Sequence, residues 1–316
     1  MKHLLLFILI IITGCSREKE INPPEKINYI QESVTFNEIW KEVVSDPLDK
    51  LPYNRVSFGQ LFKWGENIIL NDAKRTLVNQ QDILKPFNKL AHPNGICLKG
   101  TWEIDTKNPY SGYFKQGSKA LIIARASTAL SNTSSDGIRA FGFAGKLFAS
   151  TNPNQKTSRA NFFAIDDLGG TKAKHYTDVS MTNEPSVTTT SAVAKNLLYA
   201  LKVARAFSLA DKNSGIRQLY EISELGESNK KNIKTPKWIK IEAKKGQTVD
   251  KKDFRDELAI DKKELIFNIA VASSQKESKK DWLDIGTIAF NQSIVSSSCD
   301  HRLHFHHPKW RDDLEY

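Results

Sequence analysis

The sequence has little of what usually identifies a protein at a glance. Three cysteines (Cys15, Cys97 and Cys299) in 316 residues are too few for a disulfide framework. No apolar run reaches the length of about 18 residues that marks a membrane-spanning helix. There is no phosphate-binding glycine loop, dinucleotide fingerprint, nucleophile elbow or protease signature. Glycine and proline, at 16 and 11 residues, are too ordinary for collagen-like or low-complexity chains. Positive charge is what stands out: 46 Lys+Arg against 36 Asp+Glu give a formal charge of +10. That excess favours anionic surfaces without identifying one. The length allows roughly 75% of the unfolded surface to be buried, in one large domain or two.

The first residues read as an address. Met1-Lys2-His3 is a short basic start, and Leu4 to Ile12 is unbroken and apolar. The run falls short of the roughly 20 residues a spanning helix needs, and it has the dimensions of a signal-peptide core. Ile12-Thr13-Gly14-Cys15 resembles a bacterial lipobox, which implies cleavage after residue 14 and acylation of Cys15. Ser16 after that cysteine favours the outer over the inner membrane. Residues 15–35 are polar, carry Pro23-Pro24 and read as a tether, so the expectation is a chain anchored to a membrane rather than crossing it.

Helical periodicity follows at Phe36 to Val44 and Leu61 to Leu84, which makes residues 36–88 a helical arm. From Cys97 the pattern shortens to β-type runs at Gly100–Ile104, Ala120–Ala126, Phe141–Phe148 and Asn161–Ile165. A helix is expected at about Ala192–Ala210. Four more strands are expected at Ile216–Ile222, Trp238–Glu242, Leu265–Ala272 and Ile285–Phe290. Four strands, a helical insertion and four strands point to the α+β class with an antiparallel barrel or sandwich. Between Lys230 and Lys245 seven lysines face one acid, Glu242. Without interleaved aromatics or a nucleic-acid motif, this reads first as a solvated loop or edge and argues against nucleic acid.

One block carries more. His92, Gly95, Gly100, Trp102, Glu103 and Ile104 stand at the spacing of a segment found in haem catalases. Arg125-Ala126-Ser127-Thr128, Gly142-Phe143-Ala144-Gly145-Lys146 and Phe162-Phe163-Ala164-Ile165-Asp166 resemble three later strands of that family, in the same order. Asp300-His301-Arg302-Leu303-His304-Phe305 resembles the end of the barrel in shorter catalase-like proteins. The resemblance covers about residues 80–316 and is strongest in the first third of that span. It implies an eight-stranded antiparallel barrel with inserted and flanking helices over residues 89–316, and haem as cofactor.

The resemblance also implies roles. His92 would be the distal acid–base residue, for which imidazole suits because its pKa lies near about 6.5. Ser127 would orient that ring. Arg125 and Lys89 would meet haem propionates, with Lys89 standing where the family has a second arginine and so lacking the fork. Phe162 would contact the cofactor. The family's distal asparagine is displaced, with Thr157, Ser158 and Arg159 in its stretch and Asn161 as the substitute. The iron-holding tyrosine, in an Arg-x-x-x-Tyr helix beyond the barrel, has no counterpart up to Tyr316. A truncated copy, haem held otherwise and no haem at all stay open.

Four of the seven histidines (His301, His304, His306 and His307) crowd the C-terminal end. On a strand, His304 and His306 would share a face and could recruit zinc or copper with Asp300 or Asp312, but no zinc signature is matched. A polar barrel end is preferred, with no metal site assigned. Cys97 and Cys299 are either bridged, in an oxidising envelope, or two buried thiols. The leading expectation is a lipid-anchored haem oxidoreductase acting on hydrogen peroxide or an organic peroxide. The alternative is a non-catalytic lipoprotein that binds a ligand or haem on a decayed catalase-like barrel.

Overall fold

The computed structural model describes residues 30–31, 34–48, 94–128, 141–157, 159–165, 218–221, 234, 236, 238–247, 251, 253–261, 263–272 and 282–305. The helices expected at Leu61–Leu84 and Ala192–Ala210 lie outside these residues, as do Cys15, Lys89 and His92. Among the described residues no helix is long and apolar enough to cross a membrane.

Eight runs of alternating or β-branched sequence form strands. These are β1 (Gly95–Ile104), β2 (Lys119–Thr128), β3 (Phe141–Phe148), β4 (Arg159–Ile165), β5 (Gln218–Glu221), β6 (Trp238–Ala243), β7 (Leu265–Ala272) and β8 (Leu283–Ile294). Each pairs antiparallel with its sequence neighbour, and β8 pairs back onto β1, so one sheet curls into a barrel. Among the described residues, β4 and β5 meet at two pairs in register, Ala164–Glu221 and Ile165–Tyr220. Closure removes open edges, which an isolated sheet would expose to other chains.

Alternation sorts the side chains. Ile96, Leu98, Trp102 and Ile104 of β1 point inward and meet Phe143, Phe162, Phe267 and Phe290 in a continuous core. Phe143 stacks on Phe162 at 6.1 Å between centroids and lies 5.9 Å from Phe267 and 6.0 Å from Phe290. Trp102 donates its indole N–H to the Tyr113 carbonyl at 2.8 Å, so its polar atom is satisfied in the interior. Among the described residues the inward side chains pack on one another as one core cluster.

Gly100 is required by a close approach. The β1–β8 register shifts between Lys99 and Gly100, and a Cβ at Gly100 would overlap the Ala289 carbonyl. A bulge beside a glycine lets the sheet bend sharply enough to close.

A short helix, α1 (Phe36–Val43), lies against the outside. Thr35 caps it with a reciprocal Glu38 contact, a capping box that fixes its start. Phe36, Ile39, Trp40 and Val43 recur at helical spacing and are buried with Ile123 and Phe148 of the barrel wall. Phe36 meets Phe148 edge-on at 5.1 Å. The other described α-helix is a single turn, α2 (Phe254–Glu257), whose Phe254 packs on Phe141. The antiparallel barrel-like sheet expected from the sequence is present. The described helical content is small.

Candidate functional site on the outer face of the barrel

The polar residues singled out by the sequence gather outside the barrel. In register, Gly95, Ser127 and Gly142 form one row across β1–β3, and Cys97, Arg125 and Ala144 the next. Lys99, Ile123, Lys146 and Asn161 form a third row that extends onto β4. Because side chains alternate with a period of two, these rows share a face opposite the aromatic core.

Ser127, Arg125, Lys146 and Asn161 are all buried on that face. Arg125 is only 5% exposed, and a guanidinium held that far from water requires a counter-charge. It donates from Nη2 to Asp300 Oδ1 at 2.6 Å, and Asp300 is 2% exposed. The guanidinium lies flat over β1 at Gly95, where a Cβ would come within 2.7 Å of it. This close approach explains the glycine three residues after His92.

Lys146 is fully buried, with Nζ 5.7 Å from the Phe305 ring centroid. Lys99 places Nζ 5.5 Å from Phe36 and 5.8 Å from Trp40, and burial holds its pKa below the ordinary lysine value. Asn161 Oδ1 is buried and accepts no hydrogen bond from the described residues.

What covers this face comes largely from the two ends of the described chain. Ser298–Arg302 forms one π-type turn, and Cys299 in it is bonded to Cys97 on β1. The question left open for the two thiols is therefore answered as a bridge, spanning 202 residues of chain. Around it, Ser296 Oγ donates to the Val43 carbonyl, Ser298 N–H to Asp46 Oδ1, and Ile30 N–H to the Arg302 carbonyl. Arg302 also reaches Glu42 at 2.7 Å.

Ser127, Arg125 and Asn161, given haem-site roles by the resemblance, lie on the same face of the sheet. Phe162, given as a cofactor contact by the resemblance, is one residue out of phase with Asn161 and points into the core, against Gly145 and beside Trp102. Asp300 was considered only as a metal ligand; its pairing with Arg125 across 175 residues has no local signal. The described part of the histidine cluster is not in a strand, the form on which its metal reading rested. His301 sits in the π-type turn, residues 303–305 are in no strand, and His306 and His307 lie outside the described residues. Among the described residues no group of three or more His, Cys, Asp or Glu could hold a metal ion.

Haem, implied by the resemblance, can be tested against this geometry. The arginine that should meet a propionate already pairs with a carboxylate of the chain, beneath a covalently attached turn. Among the described residues, Arg125 therefore does not fit the group as it stands; Lys89 and His92 lie outside them.

No family model and no curated protein matches the chain. Similar solved structures include a bacterial catalase, with 13% identity and a TM-score of 0.41 over 65% of this chain and 48% of that one. A fungal catalase has 12% identity and a TM-score of 0.39 over 72% and 57%. Catalase A from Saccharomyces cerevisiae has 10% identity and a TM-score of 0.39 over 72% and 59%. The chain thus spans about half to three-fifths of their lengths. The likeness is one of distant fold and assigns no residue.

Proposed function

We propose that the protein is a lipid-anchored envelope protein in which a catalase-like barrel serves as a binding module rather than as a haem peroxide enzyme. The observation that carries this reading is the buried Arg125–Asp300 ion pair. In a haem catalase the corresponding arginine is available to the cofactor's carboxylate. Here it is neutralised internally, and a buried pair of this kind is strongly disfavoured from separating. The aromatic filling of the barrel argues against a ligand cavity inside it, so a ligand or partner would meet the outer surface or the segments beside it. The lipobox-like Cys15 and the polar tether in the sequence support a position at a membrane, with the outer membrane's periplasmic face preferred.

A second reading, the haem-dependent peroxide oxidoreductase, is favoured by one observation. Ser127 and Asn161 lie on the same face, and Asn161 Oδ1 awaits a donor. Titrating the purified mature protein with haemin separates the two. The binding-module reading expects no stoichiometric Soret band and no peroxide turnover. A stoichiometric Soret band with turnover that His92→Ala abolishes would overturn it in favour of the oxidoreductase.

A further inference from the structure

Two adjacent residues of the C-terminal turn grip two adjacent positions of the barrel wall. Cys97 and Arg125 are directly opposite each other on β1 and β2. Cys299 is bonded to the first and Asp300 is paired with the second. The covalent bond fixes where the carboxylate must lie, so Asp300 is presented to Arg125 at a very high effective concentration. The turn is held further by Cys299 N–H donating to Ser296 Oγ and by Arg302 Nη1 donating to Ser298 Oγ.

From this geometry we infer that Arg125 is the centre of a carboxylate-binding site that the chain fills with its own Asp300, and that the Cys97–Cys299 bond keeps this internal ligand seated. The inference rests on the reading that the arginine face is closed in the mature protein, and it names the ligand class the face would accept once opened. The wall around Arg125 carries the elements that recognise a carboxylate. A planar guanidinium donates in a fixed direction, Gly95 leaves room for it against the β1 backbone, and the surroundings are dry enough to strengthen the pairing. A small external carboxylate can make the same contact only if the internal one is withdrawn.

Chemical rescue tests this on the mature, folded chain. Asp300→Ala should lower Tm by about 10 °C, since it removes one partner of a buried ion pair in a chain of this size. Acetate at about 100 mM should restore at least half of that loss by binding the native state, whereas chloride at equal ionic strength should not. Wild-type protein should show no acetate-specific shift. Asp300→Asn, which keeps the side-chain shape, should show the loss with little rescue because its amide still fills the position; it also serves if the alanine variant fails to fold. Cys97→Ser with Cys299→Ser should make the protein acetate-sensitive, with a smaller shift than Asp300→Ala.

Equal acetate effects on wild type and Asp300→Ala, or wild-type Tm in both Asp300 variants, would overturn the internal-ligand assignment. A double-serine variant as insensitive as wild type would overturn the role given to the disulfide. Haemin titration separates the two failures: failed rescue with no haem uptake removes the internal-ligand assignment alone, whereas haem binding with turnover removes the binding-module reading whatever the rescue shows.

Discussion

The two sides of the barrel wall are built on different chemistry. The inner side is aromatic and aliphatic, with Phe143, Phe162, Phe267 and Phe290 closing on one another around Trp102. The outer side of β1–β4 buries charge and amide groups, Arg125, Lys146 and Asn161, beneath a helix and a disulfide-bound turn. The inner side is stabilised by area removed from water and tolerates any set of side chains that fills the volume. The outer side depends on particular pairs, because a buried charge without its partner is far more costly than a lost methylene. Under the proposed binding-module reading, specific recognition belongs to the outer side and the interior is a scaffold.

Substitutions can break this contrast in graded steps. The largest effect is expected at the seam both sides share. Gly100→Ala drives a Cβ into the Ala289 carbonyl, so denaturant unfolding should show a loss above about 4 kcal/mol or no folded protein. On the inner side alone, Phe143→Ala should cost about 3–5 kcal/mol in the same assay and leave the Cys97–Cys299 bond formed, as thiol titration would show.

The smallest effect is expected at the helix that roofs the outer side. Thr35→Ala removes one half of the capping box and should cost about 1 kcal/mol. Acid should act at the same place. The Thr35 backbone N–H, and then its hydroxyl contact, hold the Glu38 carboxyl below its ordinary value of 4.5. With the folded pKa the lower one, this contribution is present above 4.5 and is lost as pH falls through the folded value. The protection factors at the first turn of α1, taken relative to the intrinsic exchange rate at each pH, should therefore fall in acid, and Thr35→Ala should flatten that dependence.

The strands were legible because local pattern governs them. Phe141–Phe148 and Leu265–Ala272 have the same bounds in sequence and structure, and Phe36–Val44 ends one residue earlier as a helix. Gly95 and Gly100 stood out as motif glycines, yet their reasons, room for a guanidinium and a backbone crossing at the bulge, are properties of the closed sheet. Asn161 and Phe162 are neighbours in the motif yet face opposite sides of the wall, because adjacent residues of a strand alternate. The partner of Arg125 was invisible for a different reason. Asp300 and Cys299 reach β1 and β2 only after the chain has gone round the barrel, and no spacing rule encodes that return.

The central claim is that the outer side is held shut by Arg125 and Asp300 acting on each other. A double-mutant cycle with Arg125→Met and Asp300→Asn, followed by denaturant unfolding, measures that coupling directly. The account predicts a coupling of about 2 kcal/mol or more, each single variant being destabilised more than the double variant's loss would apportion to it. Additive losses, with coupling below about 0.5 kcal/mol, would contradict it.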